Sequence, residues 1–284
     1  MLRFLAKLST LDARWLYLLL IASIVASAYL RLPLAFKPSP ETQGFYNTIE
    51  ALDGSKPVLL MSDWDQGTVG ELRAQFYATV RHLFRKNIRF VLVSGNLNGP
   101  RFYLEAMDQL SKQYGKEYGK DWVSFGFKLP DPKPNSVEAI SRNFAELVGK
   151  DEVGKKATDY AWLKDVRFAE DWALVISIVY SEIREFLTYF VEAGRTPYIA
   201  GCAAIVSTYS YPFFSTGTMK GILIGARGGG EYEQMIAREE GRQVGGTFGE
   251  RLLIGQSAGH FLLLFGIIVG NVGALAKRAL ERRS

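Results

Sequence analysis

Cysteine is almost missing from the 284 residues: Cys202 stands alone. That excludes an internal disulfide and a cysteine-rich metal site. Its place in the apolar run 198–206 suits a small buried side chain. Histidine is nearly as scarce, and His82 and His260 lie in different regions, so a histidine-rich metal site is not expected. No Gly-Lys-Ser/Thr phosphate loop and no dinucleotide fingerprint is present, and Ser141, Ser177 and Ser181 have no nearby His with a matching Asp. No catalytic residue, bound metal or cofactor is therefore expected. Internal repeats and low-complexity segments are also lacking.

Charge is absent from two stretches, one between Arg14 and Arg31 and one between Arg251 and Lys277. The net charge of +5 and the isoelectric point near 9.1 conceal this partition. Between residues 37 and 250 there are 25 Lys+Arg against 27 Asp+Glu, so the middle is slightly acidic. The basic excess sits in the tails, at Arg3, Lys7 and Arg14 and again at Lys277, Arg278, Arg282 and Arg283. Charge so placed serves membrane orientation and not nucleic-acid binding. The lipid bilayer is the expected partner.

The pattern predicts a cytoplasmic tail over 1–14, a transmembrane helix over 15–34, an extracytoplasmic domain over 35–250, a second transmembrane helix over 251–276 and a cytoplasmic tail over 277–284. The first apolar run, 15–30, is short, and 32–36 extends it. Trp15, Tyr17 and Tyr29 are candidate interfacial anchors. Ala26-Ser27-Ala28 also has the small-x-small form of a signal-peptide cleavage site, which leaves that segment with two readings. Both basic tails inside and the domain outside describe a protein of the cell (inner) membrane.

On a helical projection of the second span, Gly255, Gly259, Gly266, Gly270 and Gly273 fall on one arc, beside Gln256, His260 and Asn271. Ile254, Ala258, Phe261, Leu262, Phe265, Ile268, Val269 and Val272 form the opposite, wholly apolar side. Small residues let backbones approach, and polar side chains avoid lipid by bonding to a partner. The glycine face is thus a helix-packing interface. Its partner is either the first span, through Ala22/Ala26 and Ser23/Ser27, or another subunit, in a heteromeric complex or a homo-oligomer. His260 as a proton carrier would need more than two spans.

Periodicity between the spans predicts strands over 58–62, 89–94, 122–127, 173–179 and 198–206. Helices are predicted over 68–86, 100–114, 137–148 and 182–192, with a last one including 231–239. Residues 150–171 read as a charged insertion and 37–45 as a linker. The fold class is α/β: a three-layer, mostly parallel five-stranded sheet, flavodoxin-like or Rossmann-like, with 2-1-3-4-5 as the expected order.

Such sheets bind ligands at the carboxyl ends of their strands. The first strand runs into Met61-Ser62-Asp63-Trp64-Asp65-Gln66-Gly67-Thr68. An Asp-x-Asp there is the nucleophile pattern of dehalogenase-like phosphatases. The threonine is one position late, however, and no later acidic pair follows. Asp65 or Thr68 as a cap of the next helix is the plainer reading, and two carboxylates would repel an anion from that helix end. Ser94-Gly95-Asn96-Leu97-Asn98-Gly99-Pro100 follows the second strand, and its composition is that of a turn. Asp63, Asp65, Thr68, Ser94 and Asn96 are the candidate ligand-binding residues. The loop Pro130-Asp131-Pro132-Lys133-Pro134 is a candidate partner contact. Gly217, Gly221, Gly225 and Gly229 recur every four residues, which reads as one smooth ridge on a helix, packed closely, more than as a phosphate loop.

At Tyr114-Gly115-Lys116-Glu117-Tyr118-Gly119-Lys120-Asp121-Trp122, and in the glycine-rich run ending Glu231-Tyr232-Glu233, the chain resembles a set of prokaryotic membrane proteins with the same anchor–domain–anchor plan. The resemblance covers most of the domain. It implies no activity and assigns no functional residue. The chain departs from the set at Gly228-Gly229-Gly230, where alanines are expected.

These features lead to a non-enzymatic subunit of a membrane complex as the expected function. Ligand sensing at the strand-end crevice is the first alternative. Metal-dependent extracytoplasmic hydrolysis of the dehalogenase-like kind is the second.

Overall fold

The structure is a computed structural model that describes residues 12–29, 37–128, 136–242 and 247–282. Arg3 and Lys7, the extension over 32–36, the prolyl loop 130–134 and Arg283 lie outside the described residues. The described chain divides into two compact units, the two apolar terminal helices in one and residues 37–242 in the other.

The larger unit is an α/β domain built on a parallel sheet. Its strands are β1 (Val58–Asp63), β2 (Phe90–Ser94), β3 (Trp122–Phe127), β4 (Leu174–Val179), β5 (Tyr198–Cys202) and β6 (Ile222–Ile224). Every residue of β2, β4 and β5 is buried, as parallel strands covered on both faces must be. The sheet has six strands and not the expected five. The sixth is three residues long, too short to show a period, and it interrupts the predicted glycine ridge. Gly217 is a turn residue with φ +78°, Gly221 precedes β6, and Gly225 opens the following helix with φ +56°.

The strand order is β3-β2-β1-β4-β5-β6, not 2-1-3-4-5. Val58 pairs with Phe90 on one side and Leu174 on the other, so β1 and β4 are the central pair. The reason lies in the long connection after β3. It carries the chain three strand positions, roughly 14 Å, past β2 and β1. The charged insertion belongs to this connection and is anchored at Asp151, whose carboxylate accepts from the Tyr118 and Tyr160 hydroxyls.

The helices, in chain order, are α1 (Ala13–Tyr29), α2 (Pro40–Glu50), α3 (Val69–Arg85), α4 (Gly99–Tyr114), α5 (Ser136–Val148), α6 (Arg184–Phe186), α7 (Ser207–Ser215), α8 (Gly225–Glu239) and α9 (Phe248–Glu281). A π-helix, Leu187–Glu192, continues α6. On one face of the sheet α3 lies between α4 and α8, and on the other α5 packs on α6 and the π-helix. Residues 37–45, expected as a linker, contain instead the start of α2. Ser39 caps that helix and Pro40 occupies its first turn, where a missing N–H costs nothing.

Two devices hold the layers together. Glycine provides one: a Cβ on Gly228 would stand 2.9 Å from the Leu223 backbone, and one on Gly229 would stand 2.9 Å from the Ala74 Cβ in α3. Of the four glycines expected as one ridge, Gly221, Gly225 and Gly229 are closely packed, Gly217 has open space beside it, and they do not share a helix. Buried polar pairing provides the other. Glu231 in α8 accepts from the Ser39 N–H (2.9 Å) and from Arg227 Nε (2.7 Å). Burial alone would raise this carboxyl, but the donors outweigh it and hold its pKa below the ordinary range.

In the smaller unit α1 lies along α9. Thr247 caps α9: its hydroxyl accepts from the Glu250 N–H at 3.3 Å, and Glu250 accepts from the Thr247 N–H at 3.0 Å. With 34 residues, α9 is about 51 Å long and its apolar stretch exceeds the ~30 Å of a hydrocarbon core. The 17 residues of α1 reach only about 26 Å. By length and composition, one described helix can cross a membrane, not two.

Candidate functional site

The reversal of strand order falls between β1 and β4, and Asp63 closes β1 there, level with Val179. Its Oδ1 accepts from the Ser94 hydroxyl (2.9 Å) and the Gly95 N–H (2.7 Å). Burial raises the pKa of this carboxyl in spite of those donors. Asn96 N–H donates back to Ser94 Oγ at 3.1 Å, and Asn96 Nδ2 donates to the Tyr180 hydroxyl at 3.1 Å, which joins the loops after β2 and β4. Gly99 lets α4 press on this knot, since a Cβ there would meet the Ser94 side chain and the Ser62 carbonyl. The structure thus brings Asp63, Ser94 and Asn96 together.

Asp65 and Thr68 form a separate group. Asp65 Oδ1 accepts from the Gly67 N–H (2.9 Å), the Thr68 N–H (3.2 Å) and the Thr68 hydroxyl (3.2 Å), a self-contained turn leading into α3. Thr68 takes the cap position, but its side chain makes no capping bond. Between the two aspartates, Trp64 is buried against Phe76 and Phe102, with its Nε1 donating to Ser62 Oγ at 2.8 Å. Among the described residues, no three His, Cys, Asp or Glu side chains converge in a way that could hold a metal ion.

Large apolar side chains reach solvent along this edge, among exposed polar ones such as Gln66, Asn98 and Glu182. Leu97 after β2 is 72% exposed, Tyr180 after β4 40%, and Ile205 and Tyr209 after β5 81% and 64%. Sequence periodicity missed the last two, because the predicted strand over 198–206 ends at Cys202 and turns into α7. From Thr196 to Met219 the chain carries no charge.

On the helix pair, a Cβ at Gly259 would stand 3.4 Å from Leu20 Cδ1, and one at Gly266 would stand 3.6 Å from Leu16 Cδ1. Gly255 is buried, while Gly270 has open space beside it. The glycine face therefore receives α1, but through Leu16 and Leu20, whereas Ala22 and Ala26 are exposed. On α1 it is leucine side chains, not small residues, that face these glycines, and open space remains beside them. Gln256, His260 and Asn271 are exposed.

A buried polar cluster joins α2, α3 and α8, and nothing in the sequence pattern marks it. His82 is fully buried, with Nδ1 2.6 Å from the Tyr232 hydroxyl and Nε2 3.5 Å from Glu50. Burial, and then the Arg85 charge, lower its pKa to about 3. Burial would raise Glu50, yet hydrogen bonds from Lys86, Tyr46 and Arg85 bring it down to about 2. Both segments behind the resemblance are structural hubs. Tyr232 reaches His82, Tyr114 donates to Glu240 beside Arg81, and Tyr118 reaches Asp151.

The chain is thus an α/β protein with a six-stranded parallel sheet and one apolar helix of membrane-crossing length. Comparison with protein-family models, curated proteins and solved structures finds no match.

Proposed function

We propose that this chain is a non-enzymatic subunit of a membrane protein complex, anchored by both terminal helices with its α/β domain outside the cytoplasm. One observation carries the reading: the carboxyl-end edge of the sheet bears exposed Leu97, Tyr180, Ile205 and Tyr209, while Asp63, Ser94 and Asn96 beside them are tied up in mutual hydrogen bonds and one to Tyr180. Large exposed apolar side chains along one edge favour a protein surface over a small polar ligand. The basic tails and the uncharged runs support the membrane placement. Reading α1 as a second span requires residues beyond Tyr29 to lengthen it.

A second reading, ligand sensing at the same edge, draws support from the position of Asp63 at the reversal of strand order. The test is site-directed photo-crosslinking from position 205 in membranes, followed by mild-detergent purification. Capture of one defined polypeptide in fixed proportion, abolished by Ile205→Asp in a folded domain, is the expected result. A monomer that captures nothing would overturn the subunit reading.

A further inference from the structure

A groove of about 580 Å³ runs between α1 and α9, within the range of roughly 300–1,000 Å³ usual for ligand sites. Its walls are apolar, from Leu20, Ile24 and Leu252, and Gly255 and Gly259 contribute to its lining. Three polar side chains also line it: Arg251, Gln256 and His260. Among the described residues, no carboxylate does. Arg251 is half-buried and its Nε is buried without a hydrogen-bond partner among the described residues. At Leu20, Gly259 and Leu263 the groove meets a second one of about 300 Å³, which reaches Gly266 and Ile267 and is lined without a charge.

Polarity along this path is graded. From Arg251 to His260 is nine residues, about 13.5 Å of helix, and from there to Ile267 another seven, about 10.5 Å, are apolar. A cation at one end, an amide donor a turn and a half deeper and an apolar trough beyond match an amphiphile with a negative head. A neighbouring apolar helix would leave the Arg251 charge uncompensated. Arg251 borders the apolar run 252–276, at the depth where arginine reaches the headgroup layer.

From this we infer that the groove between α1 and α9 binds one anionic phospholipid, its phosphate at Arg251, an ester carbonyl at Gln256 and an acyl chain over Gly259 towards Gly266. The inference rests on reading these two helices as a membrane-spanning hairpin. The charge complementarity sets it apart from general lipid contact, because a zwitterionic lipid gains nothing net from a lone arginine.

The test uses the full chain from alkali-washed membranes, in mild detergent, by native mass spectrometry with phosphatidylglycerol or phosphatidylcholine of matched acyl chains. The wild type should retain one phosphatidylglycerol with about fivefold preference, the effect of one basic residue near an anionic surface. Arg251→Gln should bring that preference to about one. Gly259→Leu should expel both lipids, and Phe265→Leu, on the opposite face, should change nothing. Equal retention of the two lipids by the wild type would overturn the inference, as would an unaltered preference in Arg251→Gln. So would a lipid-free dimer that Gly259→Leu dissociates, since a second copy would then fill the groove. A chain found only in the soluble fraction fails both this inference and the anchoring, whereas a membrane-bound chain without lipid preference fails this inference alone.

Discussion

At the scale of single residues, His82 shows how burial decides chemistry. In the sequence it is one ring on a helix. In the fold it is sealed between Tyr46, Tyr232 and Glu50, stacked on Tyr46 with ring centroids 4.8 Å apart. Its pKa falls from 6.5 to about 3 because water is excluded and Arg85 is near. An unfolded chain therefore takes up a proton below pH 6.5 that the native state refuses until about pH 3. The stability from neutral His82 is complete above pH 6.5 and is lost progressively as pH falls towards 3. Linkage at ~1.4 kcal/mol per pH unit bounds the loss at about 4–5 kcal/mol. Glu50 adds to the acid side, since its contribution is present above pH 4.5 and lost towards pH 2. Denaturant unfolding at several pH values should show a falling midpoint between pH 6.5 and 4.5 in the wild type. His82→Gln, which has no proton to bind, should be less stable at pH 8 and flat over that window. An equally steep slope in the variant would assign the acid sensitivity elsewhere.

Elements are held together by backbone contact as much as by side chains. Helix α8 opens with Gly225-Ala226-Arg227-Gly228-Gly229-Gly230, a poor helix former, each glycine costing about 1 kcal/mol against alanine. Contact with β6 and α3 repays that cost, since Gly228 lies on the Leu223 backbone and Gly229 on Ala74 and Gln75. Gly228→Ala should therefore destabilise the domain by about 1–3 kcal/mol through overpacking, although helix propensity alone predicts a gain. Gly70, in the first turn of α3, has open space where a methyl group would stand, and Gly70→Ala should be neutral or stabilising by up to ~1 kcal/mol. Thermal melts of the two variants beside the wild type check both signs. Matching shifts in one direction would mean that propensity governs these helices and contact does not.

For the whole molecule the open quantity is orientation. Phosphatase and fluorescent-protein reporters placed after Lys37 and after Ser284 should give opposite signals, with the first outside and the second inside. A cytoplasmic signal after Lys37 would reverse the proposed topology and remove the proposed partner surface at Leu97 and Ile205 from the outside face. The two anchors would also differ in strength. Helix α9 exceeds the ~30 Å of a hydrocarbon core, whereas the 17 residues of α1 fall short of it.

The alternation of apolar runs with amphipathic helices already specified an α/β class and located β1 to β5, since burial on both faces imposes continuous apolar strands. The uncharged run 252–276 likewise marked α9 as long and apolar enough to cross a membrane, without any tertiary information. Strand order was not legible: it depends on how far the connection from 128 to 173 travels, and a connection's length does not state its destination. The short strand β6 is equally quiet locally and becomes visible only through its pairing with β5, whereas the start of α2 carried a local signal, a serine cap followed by proline, that the linker reading passed over. Of the candidate residues, Asp63, Ser94 and Asn96 come together because strand ends converge by rule in such sheets, while Asp65 is bonded within its own turn. That the same edge shows Ile205 and Tyr209 to solvent was decided by tertiary structure alone, because exposure belongs to the packed surface and no local pattern encodes it.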